Sequence, residues 1–263
     1  MYDRTMTDLG RFPFGAPLEP CGDGRPEPCD ALVLGAYPSA VHVRWVPPRS
    51  SGLRPISAIA VDNEPTVFWD GSDADQRVDA WRARYFDPSW GEVTTATLNG
   101  PSGSWLSANI LDPLLSAGAD SHFITDCLTT YRLSDGASSR LNDTYEPMVR
   151  TTSGLPAANL LPHPTEAQIV REALNQQSER LTGQIAAARP RVVVTLGNAA
   201  SRVVANLSQT GQTGKLARDG YGEPSTVSIS GTEFIWIALV HPATPAVWQA
   251  RHQEWLVGGA FRF

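Results

Sequence analysis

Four short segments place chemically competent side chains directly behind an apolar run. His241 follows residues 234–240 and precedes Pro242. Asp126 ends the run 122–125, Asp62 and Glu64 follow residues 56–61 just before Pro65, and Gly35-Ala36-Tyr37-Pro38 closes residues 31–34. An imidazole in such a place can donate a hydrogen bond to developing negative charge, and a carboxylate can position water or accept hydrogen bonds. Strands ending together in a parallel sheet would open these groups at the end where open α/β sheets bind ligands. Each also has a plainer reading. Asp62 and Glu64 suit the turn before Pro65, Asp126 could simply close a strand, and the nearby Phe68 and Trp69 could be core aromatics.

The elements that must position these groups read as strands alternating with helices. Residues 31–34 form the first strand, residues 41–55 a loop carrying His42, Arg44 and Arg49, and residues 56–61 a second short strand. A helix is expected over 75–86, with Val78, Trp81 and Tyr85 on one side. Another is expected over 104–115, with Ser102 or Ser104 as its cap. A brief strand at 122–125 leads to Asp126, and residues 131–164, rich in Ser, Asp, Pro and Gly, read as a long surface excursion. Thr165 and Gln168 form a capping box for a helix that Pro190 ends. Residues 192–196 are a strand covered on both faces, followed by Gly197-Asn198 and a helix to about residue 207. Residues 226–230 and 234–240 give two more strands, and residues 245–256 a closing helix. The alternation predicts a parallel sheet with helices on both faces.

Size and composition set limits on this fold. With 263 residues, of which 41% are apolar, the chain can fill one large core, expected over residues 31–263 behind an irregular arm at 1–30. The polar, Pro- and Gly-rich start lacks a signal peptide or membrane span, so a cytoplasmic protein is expected. Cys21 and Cys29 lack the spacing and further ligands of a metal site. A net charge of −6 argues against non-specific coating of DNA but leaves room for a local basic track.

Taken in order, these motifs resemble the uracil-DNA glycosylase superfamily. Gly35-Ala36-Tyr37-Pro38 falls where its members carry Gly-Gln-Asp-Pro-Tyr or Gly-x-Asn-Pro. Phe123-Ile124-Thr125-Asp126, with Leu128, Thr130 and Arg132 after it, is similar to the Leu-Leu-Leu-Asn strand end and its Leu-Thr-x-Arg sequel. His241-Pro242-Ala243-Thr244-Pro245 falls on the His-Pro-Ser-Pro segment. The resemblance implies a three-layer α/β/α fold around a four-stranded, mostly parallel sheet. It also implies a monofunctional enzyme that flips a nucleotide into a pocket and hydrolyses its N-glycosidic bond without metal or cofactor. In it His241 hydrogen-bonds the base O2, a contribution of about 3 kcal/mol for one preorganised donor. Gly35 and Ala36 line the base.

Two departures bear on chemistry. Tyr37 stands where relatives have an acid or amide, so the negative charge and positioned water that an oxocarbenium-like sugar needs must come from Asp62 or Glu64, while Tyr37 walls or stacks on the base. Phe68 and Trp69 are further stacking candidates. Asp126 stands where relatives read uracil with Asn. A carboxylate fits better opposite cytosine N4, and in its protonated form it can donate to N3, which points to a cytosine modified at C5, as in some phage DNA, and to antiviral defence. Arg44, Arg49, Arg132, Lys215 and Arg218 are candidate cations of a DNA track, with Asn198 at a helix start and Thr244 beside His241 as further DNA contacts. The alternatives are a uracil-DNA glycosylase of base excision repair, a nucleic-acid binding module that has lost chemistry, and an N-glycosidase of free nucleotides. The partner expected is DNA, for a monomer with no membrane or metal.

Overall fold

The computed structural model describes residues 9–22, 24–211 and 213–261; residues 1–8 of the expected arm lie outside the described residues. In chain order the elements are β1 (Ala31–Gly35), β2 (Ala40–Val46), β3 (Ile56–Asn63), α1 (Ala74–Tyr85), β4 (Glu92–Thr95), α2 (residues 101–116), β5 (His122–Asp126) and α3 (residues 135–151). They continue with α4 (residues 166–188), β6 (Val192–Leu196), α5 (Gly197–Ser208), β7 (Ser225–Ile229), β8 (Thr232–Leu239) and α6 (Ala246–Val257). Helices α2, α3 and α4 each contain one π-turn, at Ser107–Leu111, Leu141–Tyr145 and Ala173–Gln177.

Among the described residues the strands form two sheets. The main one has the order β5-β1-β6-β8-β7, five strands rather than the expected four. Its first four strands are parallel, and β7 is added antiparallel as a hairpin with β8. Val192, Val193, Val194, Thr195 and Leu196 of β6 are all buried, as a strand covered on both faces requires. On one face Leu32, Leu34 and Val193 pack against Ile169, Leu181 and Ile185 of α4 and Val203 and Val204 of α5. On the other, Val33, Val192 and Val194 pack with Leu106, Ile110 and Leu114 of α2, and Trp248 and Trp255 of α6 close over the same cluster. The result is the expected α/β/α sandwich. Its register aligns the strand ends: Gly35 pairs with Asp126, Leu34 with Thr195, and Leu196 with Leu239, so the four parallel strands end level.

The second sheet, β3-β2-β4, is antiparallel, and here the sequence reading needs correction. Residues 41–55 do not form a loop throughout, because β2 takes up Ala40–Val46. Val41, Val43 and Trp45 alternate into the core with the period of a strand. The intervening His42 and Arg44 and the following Pro47-Pro48 conceal that alternation. Similarly, residues 131–164 contain helix α3, whose Leu141, Tyr145 and Met148 are spaced by four and three and buried against the small sheet. The helix α2 starts earlier than expected and is not capped by Ser102 or Ser104. Gly100, at φ 85°, precedes Pro101, and a Cβ at Gly100 would fall on the Asp70 carbonyl. The capping box of Thr165 and Gln168 is present, each side chain bonding the other residue's backbone N–H.

The described part of the arm is short of regular structure but is packed. Phe12 and Phe14 are buried, and Phe14 lies edge-on to Trp45, Trp81, Phe86 and Tyr145 at 5.1–5.6 Å between centroids. Tyr145 fixes it further, accepting a hydrogen bond from Phe14 N (2.6 Å) and donating one to Pro156 O (2.6 Å). Aromatic pairs of this kind add to simple area burial. They tie the start of the chain to the small sheet that carries β2 and β3.

Candidate active site

The level ends of β1, β5, β6 and β8 converge on one point. Asp126 is 2% exposed, and its Oδ1 has no hydrogen-bond partner. It lies so close to Gly35 that a Cβ there would fall on Oδ1 and come within 2.6 Å of the Phe68 ring. Only glycine allows this approach. Phe68, whose backbone takes the left-handed φ of 55°, stands with its ring 6.1 Å from the imidazole of His241. Such a conformation is costly for a bulky residue and is kept only where the surroundings enforce it. Gly197, at the end of β6, completes the ring of contacts: its Cβ position is 3.3 Å from His241 Cβ.

Glu64 enforces the Phe68 loop. Its Oε1 accepts a hydrogen bond from Ser39 N (2.9 Å), and the backbone N–H groups of Trp69 and Phe68 also favour its charged form. Burial nevertheless prevails and pushes the carboxyl up to about 7. The same physics acts more strongly on Asp126, which is driven well above the usual carboxylate range by burial and by the neighbouring Glu64, against the opposing Arg180. The site therefore sets an Asp126 carboxyl whose proton is held more tightly than usual beside a Glu64 poised at its titration point near neutral pH.

A raised carboxyl pKa in the folded state makes stability greatest below the unfolded value and lowers it as pH rises through the folded one. Between pH 5 and 8 the Glu64→Gln variant is therefore expected to gain roughly 2–3 kcal/mol relative to the parent chain. Denaturant titrations at the two pH values measure this. Parallel pH slopes for the two proteins would mean that Glu64 carries no extra proton when folded. His42 and His241, both pushed down to about 4 by burial, act in the opposite sense, stabilising above pH 6.5 and losing that stability as pH falls towards 4. They act alike in both proteins and drop out of the difference.

His241 is held by its own turn. Its Nδ1 accepts from Ala243 N (3.2 Å), which leaves the proton of the neutral ring on Nε2. The Thr244 hydroxyl donates to His241 O (2.7 Å). Gln249 Nε2 reaches Pro242 O and Thr244 Oγ1 (both 3.0 Å), and Trp105 Nε1 in turn holds Gln249 Oε1 (3.1 Å). On the opposite strand, Arg180 of α4 grips the turn after β5 through Asp126 O (2.6 Å) and Cys127 O (3.1 Å), and Thr125 Oγ1 (3.0 Å). Arg180 and Gln249 are absent from the sequence reading, and Trp105 enters it only as part of the apolar face of the helix expected over 104–115. Arg180 and Gln249 act largely through backbone carbonyls and Trp105 through the Gln249 side chain, and no motif or strand end marks these roles.

The remaining candidates are distributed as follows. Tyr37 stands at the rim, half-buried, its hydroxyl 2.7 Å from His163 Nδ1, and burial and Asp126 push its phenol up. Ala36 accepts from Leu128 N through its carbonyl. Trp69 is buried with its indole on Asp73 Oδ1 (2.7 Å) and borders a cavity of about 430 Å³ shared with Phe68, Leu106 and Phe123. Asp62 is not brought to the site; it borders a separate cavity of about 290 Å³ with Glu19, Trp81 and Arg84. The cause is that β3 belongs to the second sheet, so that only the turn after it reaches the first. Arg132, expected in a DNA track, is instead 7% exposed and ion-paired with Glu172. Its neighbours Tyr131 and Leu133 are buried with it, so the segment lies inside rather than on the surface. Arg44, Arg49, Lys215 and Arg218 are exposed. The Asn198 side chain accepts from Leu216 N (2.9 Å) and staples the Lys215 loop, while the Thr244 hydroxyl is spent on its own turn.

Among the described residues, Cys29 and Cys127 are free thiols, no group of three or more His, Cys, Asp or Glu gathers as a metal site, and no helix is long and apolar enough to cross a membrane.

The fold is thus a parallel α/β/α sheet whose strand ends hold a buried carboxyl, an aromatic ring and a neutral imidazole. Residues 83–262 match the model of the uracil DNA glycosylase superfamily, and the chain belongs to that superfamily. No curated protein matches it. The matched span carries Asp126, Asn198, Lys215, His241 and Thr244. Gly35, Tyr37, Glu64 and Phe68 precede it and join the site through the pairing of β1 with β5 and the approach of Phe68 to His241.

Proposed function

We propose that this protein is a monofunctional DNA glycosylase that releases a flipped-out cytosine modified at C5 and leaves an abasic site. The observation that carries the reading is the buried, unpartnered Asp126 Oδ1 beside Phe68 and Gly35. A protonated Asp126 can donate to cytosine N3 while its other oxygen accepts from N4–H; turned over, the same carboxyl meets uracil O4 and N3–H, so what favours cytosine is the proton that it can pass to N3. Phe68 supplies a stacking face, and His241 Nε2–H is the donor for O2.

In this reading the C1′–N1 bond breaks with its electron pair moving onto the base. His241 stabilises the charge at O2, and the Asp126 proton passes to N3, so the base leaves neutral. Water forms the new bond to C1′ and gives its proton to solvent, and the Asp126 carboxylate recovers a proton from solvent. Glu64, ionised above about pH 7, contributes negative charge for the cationic sugar. An enzyme of this specificity would damage DNA carrying the modified base and spare DNA without it, which supports a role in defence against modified phage genomes.

The decisive experiment is incubation with duplexes containing uracil, cytosine or 5-hydroxymethylcytosine, followed by alkaline cleavage at abasic sites. Cleavage at the modified cytosine is expected. Cleavage at uracil alone would return the protein to base excision repair, and salt-sensitive binding without any cleavage would leave a binding module.

A further inference from the structure

The cavity bordered by Asp62 has no part in base release as proposed. It is a cleft of about 290 Å³ between α1 and the small sheet. One wall is the face of α1 that recurs at Arg77, Trp81 and Arg84; the other is Val41 of β2 with Asp62 and Asn63 at the end of β3. Asn63 ties the arm across this end. Its Nδ2 donates to Pro17 O (2.9 Å) and its Oδ1 accepts from Glu19 N (2.9 Å), which brings Pro17 and Glu19 into the lining.

The polar groups here are only partly satisfied by the protein. Trp81 lines the cleft while only 2% exposed, and its Nε1 has no hydrogen-bond partner, a state that calls for an account in a buried donor. Asp62 Oδ1 accepts from Asn63 N (2.9 Å), and among the described residues Oδ2 has no partner. Burial raises this carboxyl above its ordinary value in spite of the Asn63 bonds. The two guanidinium groups differ. Arg77 is bonded to Asp73 (2.8 Å), whereas the exposed Arg84 lies over the Tyr85 ring at 5.0 Å and forms no ion pair among the described residues.

A carboxylate accepts from two neighbouring N–H groups, an indole N–H donates to one acceptor, and a guanidinium binds phosphate. Among the nucleobases, guanine presents the complement along one edge, with O6 followed by the N1–H and N2–H donors. Cytosine and adenine place a bare ring nitrogen beside their amino group, and uracil and thymine offer a single N–H. The volume lies near the lower end for ligand pockets, which suits one ring with part of its sugar. We infer that the cleft between α1 and the end of β3 is a second binding site that takes a guanine ring. Asp62 accepts from N1–H and N2–H, Trp81 Nε1 donates to O6, and Arg84 at the rim holds the phosphate. This site is independent of the base read by Asp126, and its guanine comes from a free nucleotide or from an unpaired position in DNA.

Equilibrium dialysis of the full chain against guanosine, inosine and adenosine 5′-monophosphates tests it. The guanine nucleotide is expected to be held about tenfold more tightly than the inosine nucleotide, which lacks the N2 donors, and the adenine nucleotide more weakly than either. Asp62→Asn is expected to weaken the guanine nucleotide about tenfold, and Arg84→Gln to weaken it while leaving guanosine unchanged. Trp81→Phe, which keeps a ring and removes the unpartnered N–H, is expected to weaken the guanine and inosine nucleotides alike. Equal retention of the three nucleotides, retention of none, or a loss in Arg84→Gln that Asp62→Asn does not share overturns the site. Bound guanine nucleotide is then challenged with duplexes carrying guanine or inosine opposite an abasic site. Displacement by the first alone assigns the ring to DNA, displacement by neither assigns it to a free nucleotide, and equal displacement by both overturns the proposal.

Discussion

Replacing His241 by alanine is expected to slow base release in single-turnover experiments by about 10²–10³-fold, with DNA affinity little changed. In the proposed reaction the imidazole has one task. Ala243 N–H occupies Nδ1, so the ring proton sits on Nε2, and burial holds the ring neutral down to about pH 4. A neutral donor costs little to keep in a desolvated site, yet strengthens its bond as charge moves onto the base oxygen. That difference between ground and transition state is what accelerates a step. The scaffold behind it is fixed by Thr244, Gln249 and Trp105, so alanine removes the donor without removing the turn. Single-turnover rates and equilibrium binding on the same duplex separate the two contributions. A variant that loses affinity in proportion to rate, or that keeps its rate, would place the charge-stabilising donor elsewhere.

How far the sequence reveals this site depends on what each residue does. His241 and Asp126 are legible because strand periodicity ends abruptly at them, and the parallel register then brings both to one edge. The choice between Asp62 and Glu64 is not legible, since both follow the same apolar run. It is decided by β3 pairing with β2 rather than joining the main sheet, which sends Asp62 to another cavity and the turn bearing Glu64 to Ser39. The small sheet itself is hard to see, because His42, Arg44 and two prolines give β2 the composition of a loop. Cations mislead in the same way. Arg132 in a polar-looking segment is buried and paired, whereas Arg180 within a regular helix reaches back to brace the Asp126 turn. Long side chains reveal their targets only once the tertiary arrangement is known. Local propensity marks α4 and β6 well for the opposite reason, as their capping box and β-branched run are satisfied within a few residues.

Asp126→Asn tests the base reading most directly, because it changes hydrogen-bonding character at nearly constant shape. An amide presents a donor and an acceptor like a protonated carboxyl, but it cannot release its proton to N3. Release of the modified cytosine is therefore expected to fall by about 10²–10³-fold, the range attached to loss of a general acid or a preorganised donor. Uracil is expected to gain relative to the modified cytosine, since the amide still matches O4 and N3–H and that base takes no proton from the side chain. The structure limits side effects: Arg180 holds Asp126 through its backbone carbonyl, so the strand end keeps its place when the side chain changes. The pH dependence adds a separate check. With Asp126 raised well above the ordinary carboxylate range, the parent enzyme should lose activity on the alkaline side as that proton is lost, and the asparagine variant should lose that limb of the profile while retaining the acid limb set by Glu64 near pH 7. Unchanged cytosine-type release by Asp126→Asn, with the alkaline limb intact, would transfer base recognition to another residue. A switch toward uracil with loss of that limb would assign both recognition and proton donation to the one carboxyl buried against Gly35.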